Sequence, residues 1–259
     1  MKDLTKGKPS TLILAFALPI FFANLLQLTY SLVDTRIVGT FLGEDALAAV
    51  GATTTLSNLI IGFLQGLSGG FAIIIAQKFG AKDYKNVKKS FAMSLTMGTG
   101  IAIFFTVFGL LFLQPILNIL NVPSDLMATA KSYIFVIIAG LVATFLYDAC
   151  AAALRSLGDT VTPLVILAIS VVLKSGVRGA AIATVLAQAI AFVVCWIYMV
   201  KRYELLRLSR EDFKDPNPVM VKNMLGAGMS MGFMSSLINI GSLTLQTAIN
   251  KLGNDYIVA

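Results

Sequence analysis

Hydrophobic residues in this chain form seven uncharged runs separated by short charged segments. A bilayer core of about 30 Å needs about 20 apolar residues in helical form. Only helices or closed barrels satisfy their backbone hydrogen bonds within lipid, and runs this long favour helices. The pattern predicts seven membrane helices, called spans 1 to 7. Their runs are Thr11 to Val33, the stretch between Asp45 and Lys78, Ser90 to about Phe112, Tyr133 to Leu154 (interrupted by Asp148), Val161 to Leu173, Gly179 to Val200, and the stretch between Lys222 and Lys251.

Span 5 is shorter than a membrane helix requires. Between Asp159 and Lys174 lie 14 residues. At about 1.5 Å per residue they reach about 21 Å, which is less than the bilayer core. Without this crossing, the basic segment after span 6 would face outward. We therefore expect either a crossing with local membrane thinning and a snorkelling Lys174, or the loss of a segment here.

Composition supports membrane insertion. The chain is 57% hydrophobic and 13% charged, whereas soluble domains carry about 25% charged residues. Its net charge of +7 lies in the loops, which indicates affinity for membrane lipids and no nucleic-acid partner.

Basic residues are distributed unevenly between the two sides of the predicted membrane. If the spans alternate from a cytoplasmic N-terminus, 15 of the 20 Lys and Arg residues are cytoplasmic. This bias predicts that the N-terminus is inside. The first apolar run, to Val33, is too long for a signal peptide. We expect a multi-pass protein of the bacterial inner (plasma) membrane.

A weak internal repeat lies 210 positions apart along the chain. Residues 17–49 align with 227–259 in hydropathy, and both copies contain a Leu-Gly-x-Asp sequence where the chain leaves the apolar run. Parallel repeats are common in secondary transporters. The predicted fold is an all-α membrane protein, a six-helix lobe plus a seventh helix from a twelve-helix, two-lobe transporter. Its predicted parts are the N-terminal lobe at 1–200, a basic cytoplasmic linker at 201–222 and an incomplete second lobe at 223–259.

Asp34 is the leading candidate for a functional residue. A carboxylate within or at the end of an apolar span is costly to bury, so it indicates function. Asn24, Gln27 and Ser31 share its helix face; the alternative is an interfacial Asp that ends the helix. Pro19 favours a kink in span 1, either as a hinge or as a passive bend.

Other polar residues within the spans are candidates for a substrate cavity. In span 4, Tyr147 and Asp148 could receive a cationic, apolar compound through charge and cation–π attraction; the alternative pairs Asp148 structurally with Arg155. Thr184 and Gln188 are spaced as interhelical hydrogen-bond donors, with ion coordination as the alternative. In span 2, polar residues face one side and glycines predict close helix packing. The predicted cavity residues are Asn24, Gln27, Tyr30, Asn58, Gln65, Tyr147 and Asp148.

Several classes of chemistry lack a signal in the sequence. No phosphate-binding G-x-x-x-x-G-K-[ST] motif is present. There is no His, and Cys150 and Cys195 lie in apolar runs, which argues against a metal site or a disulfide framework. We expect no enzyme activity and no cofactor apart from a coupling ion.

Five segments together resemble the multidrug and toxic compound extrusion (MATE) exporters in order and spacing. They are Leu18-Pro19-Ile20 with Val33-Asp34-Thr35 and Val38-Gly39, Ala46 to Gly51, Ile75 to Asp83, Ala153-Leu154-Arg155-Ser156-Leu157-Gly158-Asp159-Thr160, and Gly179 to Thr184. The resemblance implies two six-helix lobes around a central cavity. It also implies export of cationic, amphipathic compounds in exchange for Na⁺ or H⁺, with Asp34 and Thr184 at the ion-coupling site. The complete protein is expected to be a monomer.

The chain departs from the family's pattern in three places. An Asn and an Asp that continue the family's fifth helix are absent, since Leu173 leads directly to Lys174-Ser175-Gly176. Asp148 stands at a position that is often Asn, and most of the second lobe is missing.

Two alternatives to drug export remain. One is a lipid-linked oligosaccharide flippase of the same superfamily, which predicts basic residues in the cavity; apart from Arg36, none lies deep within a span. The other is a truncated fragment that does not transport.

Overall fold

A computed structural model describes residues 44–174, 180–214 and 217–250, together with positions 10, 11, 14, 17–22, 24 and 25. The described positions between 10 and 25 are helical and are called α1. The other helices are α2 (Glu44–Gly80), α3 (Tyr84–Leu111), α4 (Leu113–Ile119), α5 (Met127–Ala139), α6 (Leu141–Ser156), α7 (Val161–Lys174), α8 (Ala180–Arg202) and α9 (Pro218–Asn250). Two 3₁₀ turns, η1 (Glu204–Leu206) and η2 (Arg210–Phe213), connect α8 to α9.

Three helices in the described part of the chain are long and apolar enough to cross a membrane. They are Val50–Gly80, Tyr84–Leu111 and Ala181–Arg202, which correspond to spans 2, 3 and 6. The α5–α6 pair makes a fourth if the two helices form one bent span. Span 5 corresponds to α7, whose 14 residues confirm the expected shortness.

Span 4 is broken at Gly140, where the sequence predicted one helix interrupted only by the charge of Asp148. Its two halves, α5 and α6, meet at 43°. Gly140 lies directly against Val185 of α8, and a Cβ at this position would come within 2.8 Å of Val185 Cγ1. Because Gly140 has no side chain, α8 can approach the break closely and pack against α6.

The contact between α2 and α9 is built on glycines, here called the glycine seam: Gly62, Gly66 and Gly70 of α2 with Gly228 and Gly232 of α9. A Cβ on Gly66 would lie 2.8 Å from Gly232 Cα, and one on Gly70 would lie 2.6 Å from Gly228 Cα. As residue numbers rise on α2 they fall on α9, so the two helices are antiparallel. Small residues every fourth position allow backbones to meet in this way, which confirms the close packing predicted for span 2.

The helices are apolar on their outer faces as well as in the core. Phe71, Phe91 and Phe145 are fully buried, whereas Phe104 and Phe108 of α3 are exposed. These two exposed rings stack on each other with centroids 5.9 Å apart. Helices that are hydrophobic all round are typical of membrane spans.

Candidate functional site

A cavity of about 470 Å³ lies where α1, α2, α6, α7, α8 and α9 meet. Sites that bind small molecules commonly enclose about 300–1,000 Å³, so this space is large enough for a drug-sized compound. Polar and apolar side chains share its wall. The lining residues are Ile20, Asn24, Gln65, Gly66, Gly69, Tyr147, Asp148, Arg155, Thr160, Pro163, Leu164, Leu167, Gln188, Met231 and Ser235.

Four of the predicted cavity residues meet in this wall, although they come from three helices. Asn24 lies on α1, Gln65 on α2, and Tyr147 and Asp148 on α6. Asn58 is exposed on α2 and does not line the cavity.

The remaining candidates of span 1 are only partly described. Gln27, Tyr30 and Asp34 lie outside the described residues. Pro19 is half-buried in α1, next to the cavity residue Ile20.

Asp148 carries the negative charge of the cavity wall. Its Oδ2 atom is buried and has no hydrogen-bond partner among the residues that the structure describes. Arg155, two turns further along α6, acts electrostatically on this carboxylate. Within the described residues, no ion pair of 4 Å or less joins the two side chains. The predicted alternative, a structural Asp148–Arg155 pair, is therefore not formed at contact distance, and the carboxylate keeps unused acceptor capacity.

The Tyr147 hydroxyl already donates a hydrogen bond to another group of the protein. It donates a hydrogen bond of 3.1 Å to the carbonyl oxygen of Pro163 in the first turn of α7. The bond ties α6 to α7 and fixes the ring beside Asp148. The face of a fixed aromatic ring next to a carboxylate can attract a cation.

Gln188 of α8 carries a second polar atom for which the described part of the chain offers no partner. Its Oε1 atom is buried and accepts no hydrogen bond, so the predicted interhelical bond is not formed by this atom. Thr184, the predicted ion-coupling residue, is half-buried one turn earlier on α8. This spacing brings both residues to the same side of the helix.

The segment Leu154 to Asp159 leads from the end of α6 towards α7 beside the cavity. Arg155 lines the cavity. Gly158 has a φ of 88°, a left-handed conformation that favours glycine. Asp159 then accepts a 3.0 Å hydrogen bond from the Thr162 amide at the start of α7.

The second oxygen of Asp159 connects this turn to the end of α8. Asp159 Oδ2 accepts a 2.8 Å hydrogen bond from the Tyr203 hydroxyl. Burial, together with this bond to a carboxylate, raises the pKa of Tyr203 above its ordinary value, because both disfavour the phenolate. The bond therefore joins the beginning of α7 to the segment that follows α8.

Metal binding has no structural support in the described residues. No group of three or more His, Cys, Asp or Glu side chains is placed to hold an ion there. Cys150 and Cys195 are buried free thiols that lie beside each other between α6 and α8.

A family model described as MatE matches residues 19–178 of the chain. This match covers most of the cavity wall, from Ile20 to Leu167. The chain belongs to the MatE family. Because its described part also contains several helices suited to crossing a bilayer, it is a multi-pass membrane protein.

Relatives of the MatE chain carry multidrug names. The chain is 28% identical to a Bacillus subtilis protein named "Probable multidrug resistance protein YpnP", over 99% of the chain and 60% of that relative. It is also 25% identical to a Thermotoga maritima protein named "Probable multidrug resistance protein NorM", over 89% of the chain and 53% of that relative. The chain thus spans about 60% or less of the length of these relatives.

Solved structures share the fold. The chain matches an inward-facing multidrug resistance MATE family transporter of the MOP superfamily with a TM-score of 0.80 and 23% identity, over 88% of this chain and 55% of that one. It matches a MATE structure in the bent conformation with a TM-score of 0.81 and 24% identity, over 89% and 54% of the two chains. The MatE chain is an all-α membrane protein that corresponds to about half of these transporters.

Sequence reasoning underestimated two residues of the MatE cavity. Arg155 was placed in a loop because the apolar run ends at Leu154, yet its long side chain reaches the cavity wall. The sequence had left Arg36 as the one basic residue deep within a span, so a basic side chain in the cavity was not expected. Gln188 was predicted to bond to another helix, and only the structure reveals its unpartnered oxygen.

Proposed function

We propose that this chain forms a lobe of a cation-coupled antiporter that exports cationic, amphipathic compounds across the bacterial plasma membrane. The observation that carries the proposal is the Asp148 carboxylate, which lines a drug-sized cavity and has a buried oxygen without a partner. A carboxylate held away from water is costly unless a cation accompanies it.

The composition of the cavity wall supports an amphipathic cation. Leu164, Leu167 and Met231 contribute apolar surface to the same wall as Asp148. Tyr147 adds an aromatic ring next to the carboxylate. A compound with a positive head and an apolar body satisfies both parts of this wall, whereas a neutral sugar or a metal ion does not.

The flippase alternative has less support than cation export. Arg155 supplies one basic side chain to the cavity, but it acts on Asp148. Its positive charge is thus partly balanced, and it does not form the cluster of cations that holds a pyrophosphate. The multidrug names of the relatives also favour drug export.

We assign coupling to Na⁺ or H⁺ to Asp34 and Thr184, as the family resemblance implies, with the N-terminus in the cytoplasm. When Asp34 binds the ion, its charge is neutralised and α1 bends at Pro19. The bend narrows the cavity and expels the substrate. The half-buried position of Thr184, one turn from the cavity residue Gln188, is consistent with an ion site next to the cavity.

The test is transport and binding of a fluorescent cationic dye by membrane vesicles that contain the protein. Two unit charges 4 Å apart interact by about 4 kcal/mol at an effective dielectric of 20, and desolvation offsets part of this. We expect Asp148→Asn to weaken dye binding about tenfold, and Asp34→Asn to abolish the response to Na⁺ and pH gradients. Glu211→Gln, an exposed acid between α8 and α9, is the matched control.

Dye binding and transport at the wild-type level in Asp148→Asn vesicles, at equal protein content, would refute the cavity assignment. A gradient response that survives in Asp34→Asn would refute the coupling assignment alone.

A further inference from the structure

Two buried hydrogen-bond acceptors in the cavity wall have no donor among the described residues. They are Asp148 Oδ2 on α6 and Gln188 Oε1 on α8, and both side chains line the cavity. Buried polar atoms are almost always hydrogen-bonded, so each exception requires an explanation. No protein group in the described part of the chain supplies these donors, and we take a ligand in the cavity as their source.

The register of α6 against α8 gives the spacing of these two acceptors. Gly140 faces Val185 and Cys150 lies beside Cys195. In each pair the α8 residue comes 45 positions later, so the helices run parallel with this offset. Gln188 therefore lies about five residues from the level of Asp148, which is about 7 Å at 1.5 Å per residue.

The charges near the two acceptors limit what each can receive. The carboxylate form of Asp148 favours an ammonium group, whose N–H donors form strong hydrogen bonds with it. Gln188 is neutral, and Arg155 adds a positive charge to the same wall. A second positive charge on the ligand would be repelled by Arg155, so a neutral N–H or O–H donor suits Gln188 better. The Tyr147 hydroxyl is occupied by Pro163 and does not compete.

We propose that the cavity selects elongated, amphipathic monocations with two hydrogen-bond donors, an ammonium for Asp148 and a neutral N–H or O–H group for Gln188. This inference rests on the proposed function, because it names the class of substrate. Within that class, it separates protonated amines from quaternary ammonium and phosphonium ions, which have no N–H donor.

Three matched fluorescent probes test the two donors separately. The parent is a dansyl sulfonamide that a pentyl chain joins to a primary ammonium, so its two N–H groups are spaced like the two acceptors. One derivative carries a trimethylammonium in place of the ammonium, and the other carries a methyl group on the sulfonamide nitrogen. Dansyl fluorescence during titration of the purified protein gives each Kd. We expect the wild type to bind the parent about tenfold more tightly than either derivative.

Variants assign each donor to its acceptor. In Gln188→Leu, methylating the sulfonamide should no longer weaken binding, whereas trimethylating the ammonium should still weaken it. In Asp148→Asn, only the loss of affinity on trimethylating the ammonium should become smaller. Gln114→Leu is the control, since Gln114 is exposed on α4 and does not line the cavity. It should leave the effects of both methylations unchanged.

The outcomes distinguish this inference from the proposed function. Equal affinity of the wild type for all three probes overturns the two-donor inference and leaves cation binding standing. Failure of the wild type to bind any of the probes overturns both. If Gln188→Leu does not fold, the wild-type comparison of the three probes still decides. Displacement of the parent probe by Na⁺ but not by other amines also overturns the inference, since the acceptors would then hold a bare ion.

Discussion

Gly69 and Gly70 are neighbours on α2, yet they lie in opposite environments. Gly70 belongs to the glycine seam, where a Cβ would come within 2.6 Å of Gly228 Cα. A Cβ on Gly69 would meet no atom within 4 Å, and this residue lines the cavity. The same residue type thus brings two backbones together on one side of the helix and leaves open space on the other. The contrast shows that α9 both supports α2 and bounds the cavity.

The largest effect is expected from adding a methyl group to the seam. In Gly70→Ala the new Cβ would meet the backbone of Ala227 and Gly228, which cannot rotate away as a side chain can. Overpacking costs about 1–3 kcal/mol, and we expect the upper end, with loss of the α2–α9 contact. Thermal unfolding of the purified protein in detergent measures the change.

Gly69→Ala is the matched control for the seam variant. It adds the same methyl group one residue away, into open space, and should not lower the unfolding temperature. Equal destabilisation by the two substitutions would show that the seam has no special role.

A larger side chain at Gly69 should affect binding and leave folding intact. Gly69→Leu places a branched side chain in the cavity, and we expect it to weaken binding of the dansyl ammonium probe by about tenfold. Gly100→Leu provides the comparison, because Gly100 is exposed on α3 and also has no atom near its missing Cβ. If both variants bind the probe like the wild type, the substrate occupies a different space.

The smallest effect is expected at the bond between Tyr203 and Asp159. Tyr203→Phe removes a 2.8 Å hydrogen bond to a carboxylate. Because the site is partly solvated, we expect a loss of about 1 kcal/mol in the free energy of unfolding at neutral pH.

The pH dependence of that effect follows from the pKa of Tyr203, which is raised in the folded protein. On alkaline titration the unfolded phenol ionises first, at its ordinary pKa of about 10. The stabilisation is complete below this pH and is lost as the pH rises above it. Wild type and Tyr203→Phe should therefore converge in stability above about pH 10. Tyr198→Phe, at the exposed end of α8, tests whether any tyrosine gives the same profile.

Hydropathy predicted several of the helices but not the interruption of span 4. The long uncharged runs of spans 2, 3 and 6 became continuous helices, and α7 is as short as its charges required. The break at Gly140 was missed, because one glycine in an apolar run is compatible with a straight helix as well as a bend. At the bend Gly140 lies against Val185 of α8, a contact 45 residues away that a local pattern does not contain.

The candidate site, like the fold, could be predicted from the sequence only in part. Charges and amides inside apolar runs identified Asn24, Gln65, Tyr147 and Asp148, because burial of such groups is costly wherever they lie. Whether a polar side chain finds a partner depends on the neighbouring helices, so the sequence could not reveal the unpartnered oxygens of Asp148 and Gln188. Asp34, Gln27 and Tyr30 lie outside the described residues, and their roles stay predictions.

The break at Gly140 has a mechanical consequence for the cavity. All the cavity residues of span 4 lie on α6, and α5 contributes none to the described wall. Because α5 and α6 have separate axes, lateral pressure that lipids exert on α5 is not transmitted rigidly to α6, which carries Asp148. A change in the thickness or tension of one leaflet can alter the angle at Gly140, while α6 keeps its contacts with the bound substrate.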